Sequence, residues 1–319
     1  MSDARPSITA VVCTYNPRPD HLGPTLDSLR GQSLPVDDWE FLLVDNKSDE
    51  PLDGRVDLSW HPHARVIRED RAGLTWARLR SYHEAAAPLI VYIDDDNILD
   101  PDYLRLALER FEAEPDLGAA GGKSLPVYEV DPPDWFAALG IHLACRDLGD
   151  TVLDASWRGV PLAERSYPEC APVGAGMCVR KEAYAAYVEA AASDSVRTAL
   201  GRSGESLASG EDNDIIMSVL DAGWRVAYLP ELSLQHLIPA GRLTPDYLER
   251  IAYGSNRTWV LVLNVHGICP WRAIAAWTSP LRKARAFVRL QAWSDAASRI
   301  RWRAACGQID GRALLSTLS

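Results

Sequence analysis

Cysteine is scarce in this chain. Its 319 residues hold six, at positions 13, 145, 170, 178, 269 and 306, and no two are spaced as CxxC. That excludes a disulfide-stapled module and a zinc ribbon. Lysine is scarcer still, 4 against 29 arginines, a skew that points to a GC-rich bacterial genome. Long apolar runs are missing too. The opening MSDARPSITAVVCTYNP passes from a polar leader into a strand-like segment, without the apolar core of a signal peptide. The apolar stretch over 259–265 is far short of the ~20 residues that a membrane span needs. A reducing, cytoplasmic setting is the expectation.

What is present is a globular composition, 47% hydrophobic and 24% charged. Such a chain buries enough apolar surface to offset its ordering entropy, so disorder is excluded as its main state. A net charge of −11 argues against nucleic acid as a partner. The charge is uneven, however. Residues 255–319 carry 10 basic and 2 acidic side chains, which leaves −19 on residues 1–254. The chain is an acidic body with a basic tail.

Apolar runs and helical patterns alternate through the first third. Residues 8–14 (ITAVVCT), 41–45 (FLLVD), 64–67 and 89–93 (LIVYI) read as strands. Residues 20–31, 75–87 and 102–114 read as helices, the last expected to be capped by Asp100 with Pro101 at its start. This alternation predicts βαβ units, an α/β fold and a mostly parallel sheet, with ligands bound beyond the carboxyl ends of the strands. Three strands end in polar residues: Thr14-Tyr15-Asn16, Asp45-Asn46 and Asp94-Asp95-Asp96-Asn97. The middle is less regular. It holds a helical 181–192 and the polar segment 200–210 (LGRSGESLASG), which is either a lid or a plain surface loop.

Asp94-Asp95-Asp96 is the strongest chemical signal. Three adjacent carboxylates repel one another unless a cation is present, and strand alternation puts Asp94 and Asp96 on one side, about 6–7 Å apart. Oxygen ligation of this kind suits Mg²⁺ or Mn²⁺. A second cluster, Glu211-Asp212-Asn213-Asp214, opens a helical run over 215–222. Read alone, it is equally well an acidic first turn set against the helix dipole. His236 follows it, beyond a short strand at 224–230. A further helix is expected within 240–253, capped by Thr244.

Four ordered segments carry a resemblance: VVCTYNPRPDHLGPTLDSLRGQS, LLVDNKSDE, GLTWARLRSYHEAAAPLIVYIDDDN and GEDNDIIMSVLDAGWRVAYLPELSLQHLIP. Over roughly 7–240 the chain resembles a family 2 glycosyltransferase of the GT-A fold. The resemblance implies a nucleotide pocket lined by Thr14, Tyr15 and Asn16, with Asp45 on the base and Arg71 and Arg78 near the nucleotide or diphosphate. Asp94, and with it Asp95, would contact the ribose or the metal shell. Asp96 and His236 would ligate Mn²⁺ or Mg²⁺, Asp212 would be the catalytic base, and Glu211 would lie close to a sugar. It further implies inverting transfer from a nucleoside-diphosphate sugar, a UDP-sugar first among them, to a glycan or lipid-linked glycan. The setting would be bacterial surface or extracellular polysaccharide synthesis. The roles of Asp95 and Asp214 stay open.

Domains are expected at 1–254, with a nucleotide-binding half over about 7–125 and an acceptor half over about 126–254, and at 255–319 as a helical extension. In that extension Trp and Arg interleave over 271–303. Two readings are open: a helix in peripheral contact with the inner face of a membrane, or a hairpin packed on the acidic body. Two other functions also stay open. A sugar-1-phosphate nucleotidyltransferase would need a Gly-rich loop after the first strand, where this chain has TYNPRP. A silent nucleotide-sugar-binding scaffold has no need of DDD, Glu211-Asp212 and His236 together.

Overall fold

A computed structural model describes residues 5–202, 204 and 207–318, the last without its side chain. Ser203, Glu205 and Ser206, in the middle of the expected 200–210 lid, lie outside the described residues.

The β-branched run at the start forms β1 (Ile8–Thr14), which lies between β2 (Trp39–Asp45) and β4 (Leu89–Asp94), with β3 (Ala64–Arg68) outside β2. All three of these pairings are parallel. The strands are interleaved with α1 (Pro19–Arg30), α2 (Leu74–Glu84) and α3 (Tyr103–Ala113), as the alternation predicts. The sheet continues through β8 (Met177–Arg180), β6 (Leu117–Tyr128) and β9 (Arg225–Ile238) to β5 (Asn97–Leu99), and β7 (Leu153–Ser156) also pairs with β9. β8, β5 and β7 run antiparallel to their partners, while β6 and β9 are parallel.

Alternate residues of the central strands face opposite layers. Ile8, Ala10 and Val12 pack with Leu22, Leu29, Leu104 and Phe111 of α1 and α3. Val11, Leu42 and Tyr92 pack on the other face, with α2, α4 (Lys181–Ser193) and α6 (Glu211–Asp221). The short α5 (Ser195–Thr198) links α4 to the segment before α6. The result is the expected α/β architecture, with helices on both faces of the sheet.

Three expectations need adjustment. The helix expected from Asp100 begins at Tyr103, and its N-cap position is held by Asp102 without a side-chain capping bond. Asp100 instead joins the sheet edge through its N–H, which donates to Ser233 O at 3.1 Å. The strand expected over 224–230 continues to Ile238, so His236 sits inside β9. The helix capped by Thr244, as expected, is α7 (Pro245–Val265), and the expected domain boundary at 254/255 falls inside it.

Beyond α7 come α8 (Ser279–Arg289) and α9 (Ala296–Leu318). α9 lies against α7 where two glycines permit close approach. A Cβ on Gly311 would stand 2.8 Å from Arg257 O, and one on Gly307 would overlap Tyr253 O. The ion pair Arg299–Glu249 adds to this seam, and Lys283–Asp310 (2.7 Å) ties α8 to α9. The basic tail therefore divides: α9 packs on the body, whereas α8 turns an apolar stripe outward. Among the described residues, no helix is long and apolar enough to cross a membrane.

Candidate active site

The carboxyl ends of β1, β2 and β4 open into a cavity of about 550 Å³. Asn46, just past β2, ties the strand-end loops together. Its N–H donates to Thr14 O, its Nδ2 donates to Arg71 O, and its Oδ1 accepts from Gly73 N, each at 2.8 Å. Thr14, Tyr15, Arg78, Asp94, Asp95, Asp96, Glu211 and Asp212 line the cavity, as expected of them.

Pairing places the candidate metal ligands. β5 turns back after Asp96 and pairs antiparallel with β9, with Asn97 opposite His236. This sets His236 Nε2 3.1 Å from Asp96 Oδ1. One ligand atom each from Asp94, Asp96 and His236 lie within 4.8 Å of one another. Two carboxylates and an imidazole suit a divalent ion such as Mn²⁺. The electrostatics agree, because Asp96 already faces cations: Arg242 stands 2.8 Å from its Oδ2. Burial alone would raise Asp96, but His236 and Arg242 outweigh it and hold the carboxyl below its ordinary range. His236 is raised in turn, its own burial being overcome by Asp96. Asp95 differs from its neighbours. Burial, then Asp96 and Asp94, push it up to about 6 against a hydrogen bond donated by Thr14 Oγ1.

The first turn of α6 carries the other cluster. Asp212 lines the cavity, its Oδ2 accepting from Gly174 N at 3.2 Å. A Cβ on Gly174 would lie 2.9 Å from Arg78 Nη2, so a larger residue here would displace the end of that side chain. Glu211 is buried and paired with the equally buried Arg78 at 2.6 Å. Burial pushes Glu211 up to about 7, with Asp212, Asp214 and Asp94 adding to the rise and Arg78 opposing it. Glu211 Oε1 and Arg78 Nε have no hydrogen-bond partner among the described residues. Asp214 points away from the cavity, toward Arg197 and His266 (2.8 Å).

Four expected residues lie outside the cavity lining among the described residues: His236, buried behind Asp96, and Asp45, Asn16 and Arg71. Asp45 is buried, and its carboxylate accepts from Ser48 N (2.8 Å), Leu52 N (3.2 Å) and Arg68 Nη1 (2.6 Å). It is fully engaged by its own loop. Asn16 likewise bonds Ser48 and Asp49. Arg71 pairs with Glu69 at 2.8 Å and lies over Trp76. Conversely, the sequence reading missed Arg202 and Arg242, which do line the cavity. Arg242 has one sequence signal, its place six residues after His236 in the turn that precedes α7.

Residues 9–137 match the model of glycosyl transferase family 2, and residues 89–241 match that of glycosyl transferase family group 2. A glucosyl-dolichyl phosphate glucuronosyltransferase of Haloferax volcanii is 25% identical over 133 residues, 40% of this chain and 42% of that protein. The uncharacterized protein y4gI of Sinorhizobium fredii is 36% identical over 115 residues, 35% of this chain and 12% of that protein. The chain thus spans less than half of either curated relative. Among solved structures, the mannosyltransferase PcManGT from Pyrobaculum calidifontis, in complex with GDP-Man and Mn²⁺, superposes with a TM-score of 0.55 at 20% identity, covering 99% of this chain and 80% of that one. S. aureus TarS superposes with a TM-score of 0.53 at 15% identity, covering 97% and 53%. A shorter TarS chain is known with UDP and with UDP-GlcNAc. These likenesses show a shared GT-A fold.

Proposed function

The chain belongs to glycosyl transferase family 2, and from that premise we propose that it is a metal-dependent, inverting glycosyltransferase. It would move a sugar from a nucleoside diphosphate to a hydroxyl of a glycan or lipid-linked glycan, in bacterial surface or extracellular polysaccharide synthesis. The observation that carries this reading is the meeting of two chemistries at one cavity: Asp94 and Asp96, backed by the buried His236, on one side, and the Asp212 carboxylate on the other.

Asp212 takes the proton of the acceptor hydroxyl as its oxygen bonds the anomeric carbon. The bond from that carbon to the diphosphate oxygen breaks, and its electron pair leaves with the diphosphate. A single base with no enzyme nucleophile gives inversion. Gly174 N–H orients Asp212, and Glu211 lines the cavity beside it. A divalent ion bound at Asp94, Asp96 and His236 supplies positive charge for the leaving diphosphate. Arg78, Arg202 and Arg242 give the cavity further cationic groups. The complexes of TarS with UDP and of PcManGT with GDP-Man make UDP and GDP the first nucleotides to test.

The same reading places the protein on the cytoplasmic face of a membrane through residues 271–303. Trp277, Leu281, Val288 and Trp293 are 83%, 76%, 63% and 62% exposed along and beside α8. The exposed Arg282, Arg285 and Arg289 lie on the same helix, and no ion pair engages them among the described residues. An outward apolar stripe flanked by guanidinium groups is the pattern of an interfacial helix.

The reading is tested by release of nucleoside diphosphate from UDP- and GDP-sugars with Mn²⁺. Asp96→Asn should abolish most of it. Asp212→Asn should keep nucleotide binding while turnover falls at least about a hundredfold. Equal rates in wild type and Asp96→Asn would overturn the metal site, and an unchanged Asp212→Asn would overturn the base.

A further inference from the structure

We infer that a second, smaller cleft beside Asp212 is the acceptor subsite and takes an uncharged hexopyranose unit; this rests on the glycosyltransferase reading above. The cleft measures about 320 Å³ and is lined by Tyr167, Ser209, Asn213, Ser255, Asn256 and Trp259. That is the small end of the range for ligand pockets.

Position is the first argument. Ser209 lines both this cleft and the main cavity, so the two adjoin there. Asn213 follows Asp212 directly in the first turn of α6, so the cleft opens beside the turn that carries Asp212.

The second argument is the division of charge between the two spaces. The main cavity holds Arg78, Arg202, Arg242 and Lys47, together with the carboxylates. Among the described residues, the cleft holds two amides, two alcohols, a phenol and an indole, with no carboxylate or cationic group. Phosphates are drawn to the first space. In the second an anionic sugar finds no counter-charge, whereas hydroxyl groups find both donors and acceptors.

Order within the cleft is the third. Asn213 Nδ2 donates to Tyr167 Oη at 2.9 Å, and the Tyr167 ring meets Trp259 edge-on at 5.3 Å. Asn256 Nδ2 donates to Ala252 O at 2.9 Å, which fixes its amide and leaves Oδ1 as an acceptor. Trp259 is only partly buried. An indole held this way, ringed by fixed amides and hydroxyls, suits the apolar face and polar edge of a pyranose.

The test uses saturation-transfer NMR on the whole chain with Mn²⁺ and UDP or GDP. The probes are methyl β-glucopyranoside, methyl α-mannopyranoside and methyl β-glucuronide, and nucleotide affinity is measured separately by calorimetry. At least one neutral hexoside should receive saturation, at least fivefold more than the glucuronide. Trp259→Ala and Asn256→Ala should each cut that signal at least fivefold, with nucleotide affinity within twofold of wild type. If Trp259→Ala does not fold, Asn256→Ala decides. Neutral hexosides that give no signal, that ignore both variants, or that the glucuronide equals would overturn the subsite. Failure of wild type to bind either nucleotide overturns the glycosyltransferase reading instead, so the two failures are distinguishable.

Discussion

Arg242 stands 2.8 Å from the carboxylate of Asp96, on the oxygen that His236 does not engage. The guanidinium thus holds a ligand that a divalent ion needs. Without nucleotide, Arg242→Gln should bind Mn²⁺ more tightly, by about tenfold if one charge-assisted hydrogen bond is removed. Calorimetric titration of both proteins checks this. Unchanged or weaker Mn²⁺ binding in the variant contradicts the competition.

Asp45 is a stability residue in this structure. Its carboxylate joins Ser48 N, Leu52 N and Arg68. Asp45→Ala leaves these buried partners unsatisfied and should cost about 2 kcal/mol or more in urea unfolding. A variant of wild-type stability with impaired nucleotide binding would return Asp45 to the base-binding role that the family resemblance implies.

His266, which caps α7, bridges Asp214 of α6 at 2.8 Å and Asp221 at 2.6 Å. Burial disfavours its charged form, but the two carboxylates outweigh that and raise it above the ordinary value of 6.5. A raised histidine contributes stability that is fully present below about pH 6.5 and lost as pH climbs through the folded value. His266→Gln should cost about 3 kcal/mol at pH 6 and less at pH 9. Unfolding free energies of both proteins across that range decide it, and a penalty independent of pH rules out the charged bridge.

The outward stripe of α8 should bind vesicles containing phosphatidylglycerol and bind neutral phosphatidylcholine vesicles weakly. Each arginine near an anionic surface is worth about 1 kcal/mol. Replacing Arg282, Arg285 and Arg289 by Gln should therefore weaken partitioning about a hundredfold, and raised salt should act in the same direction. Trp277→Ser with Leu281→Ser should weaken binding to both kinds of vesicle. Sedimentation of wild type independent of lipid charge would contradict the model.

How much of this was legible in the sequence depends on what each segment reports about itself. β1, β2 and β4 are buried on both faces, so they read as unbroken apolar runs. β6 begins LGAAGG, whose small residues carry little periodic signal, and β5 has three residues. Both are strands because of what they pair with. Asp94 and Asp96 were readable as spaced carboxylates at a strand end, whereas His236 joined them as a ligand through the family resemblance. Arg242 was not readable, being one of 29 arginines and marked only by its place in the fold. Asp45 shows how a strand-end carboxylate can be read two ways. Such a group can face a ligand or its own loop, and only the placement of Ser48 and Leu52 separates the two.

α7 is a rod of 21 residues, about 30 Å from end to end. Arg242, beside Asp96, precedes it; Ser255, Asn256 and Trp259 lie along its middle; His266 closes it against α6, the helix that carries Asp212. One stiff beam thus bears on the proposed metal set, the proposed acceptor cleft and the helix that carries Asp212, and the glycine seam of α9 clamps it from behind. Twisting or sliding that beam would shift all three together, so a load applied to the C-terminal helices is geared to the whole machine.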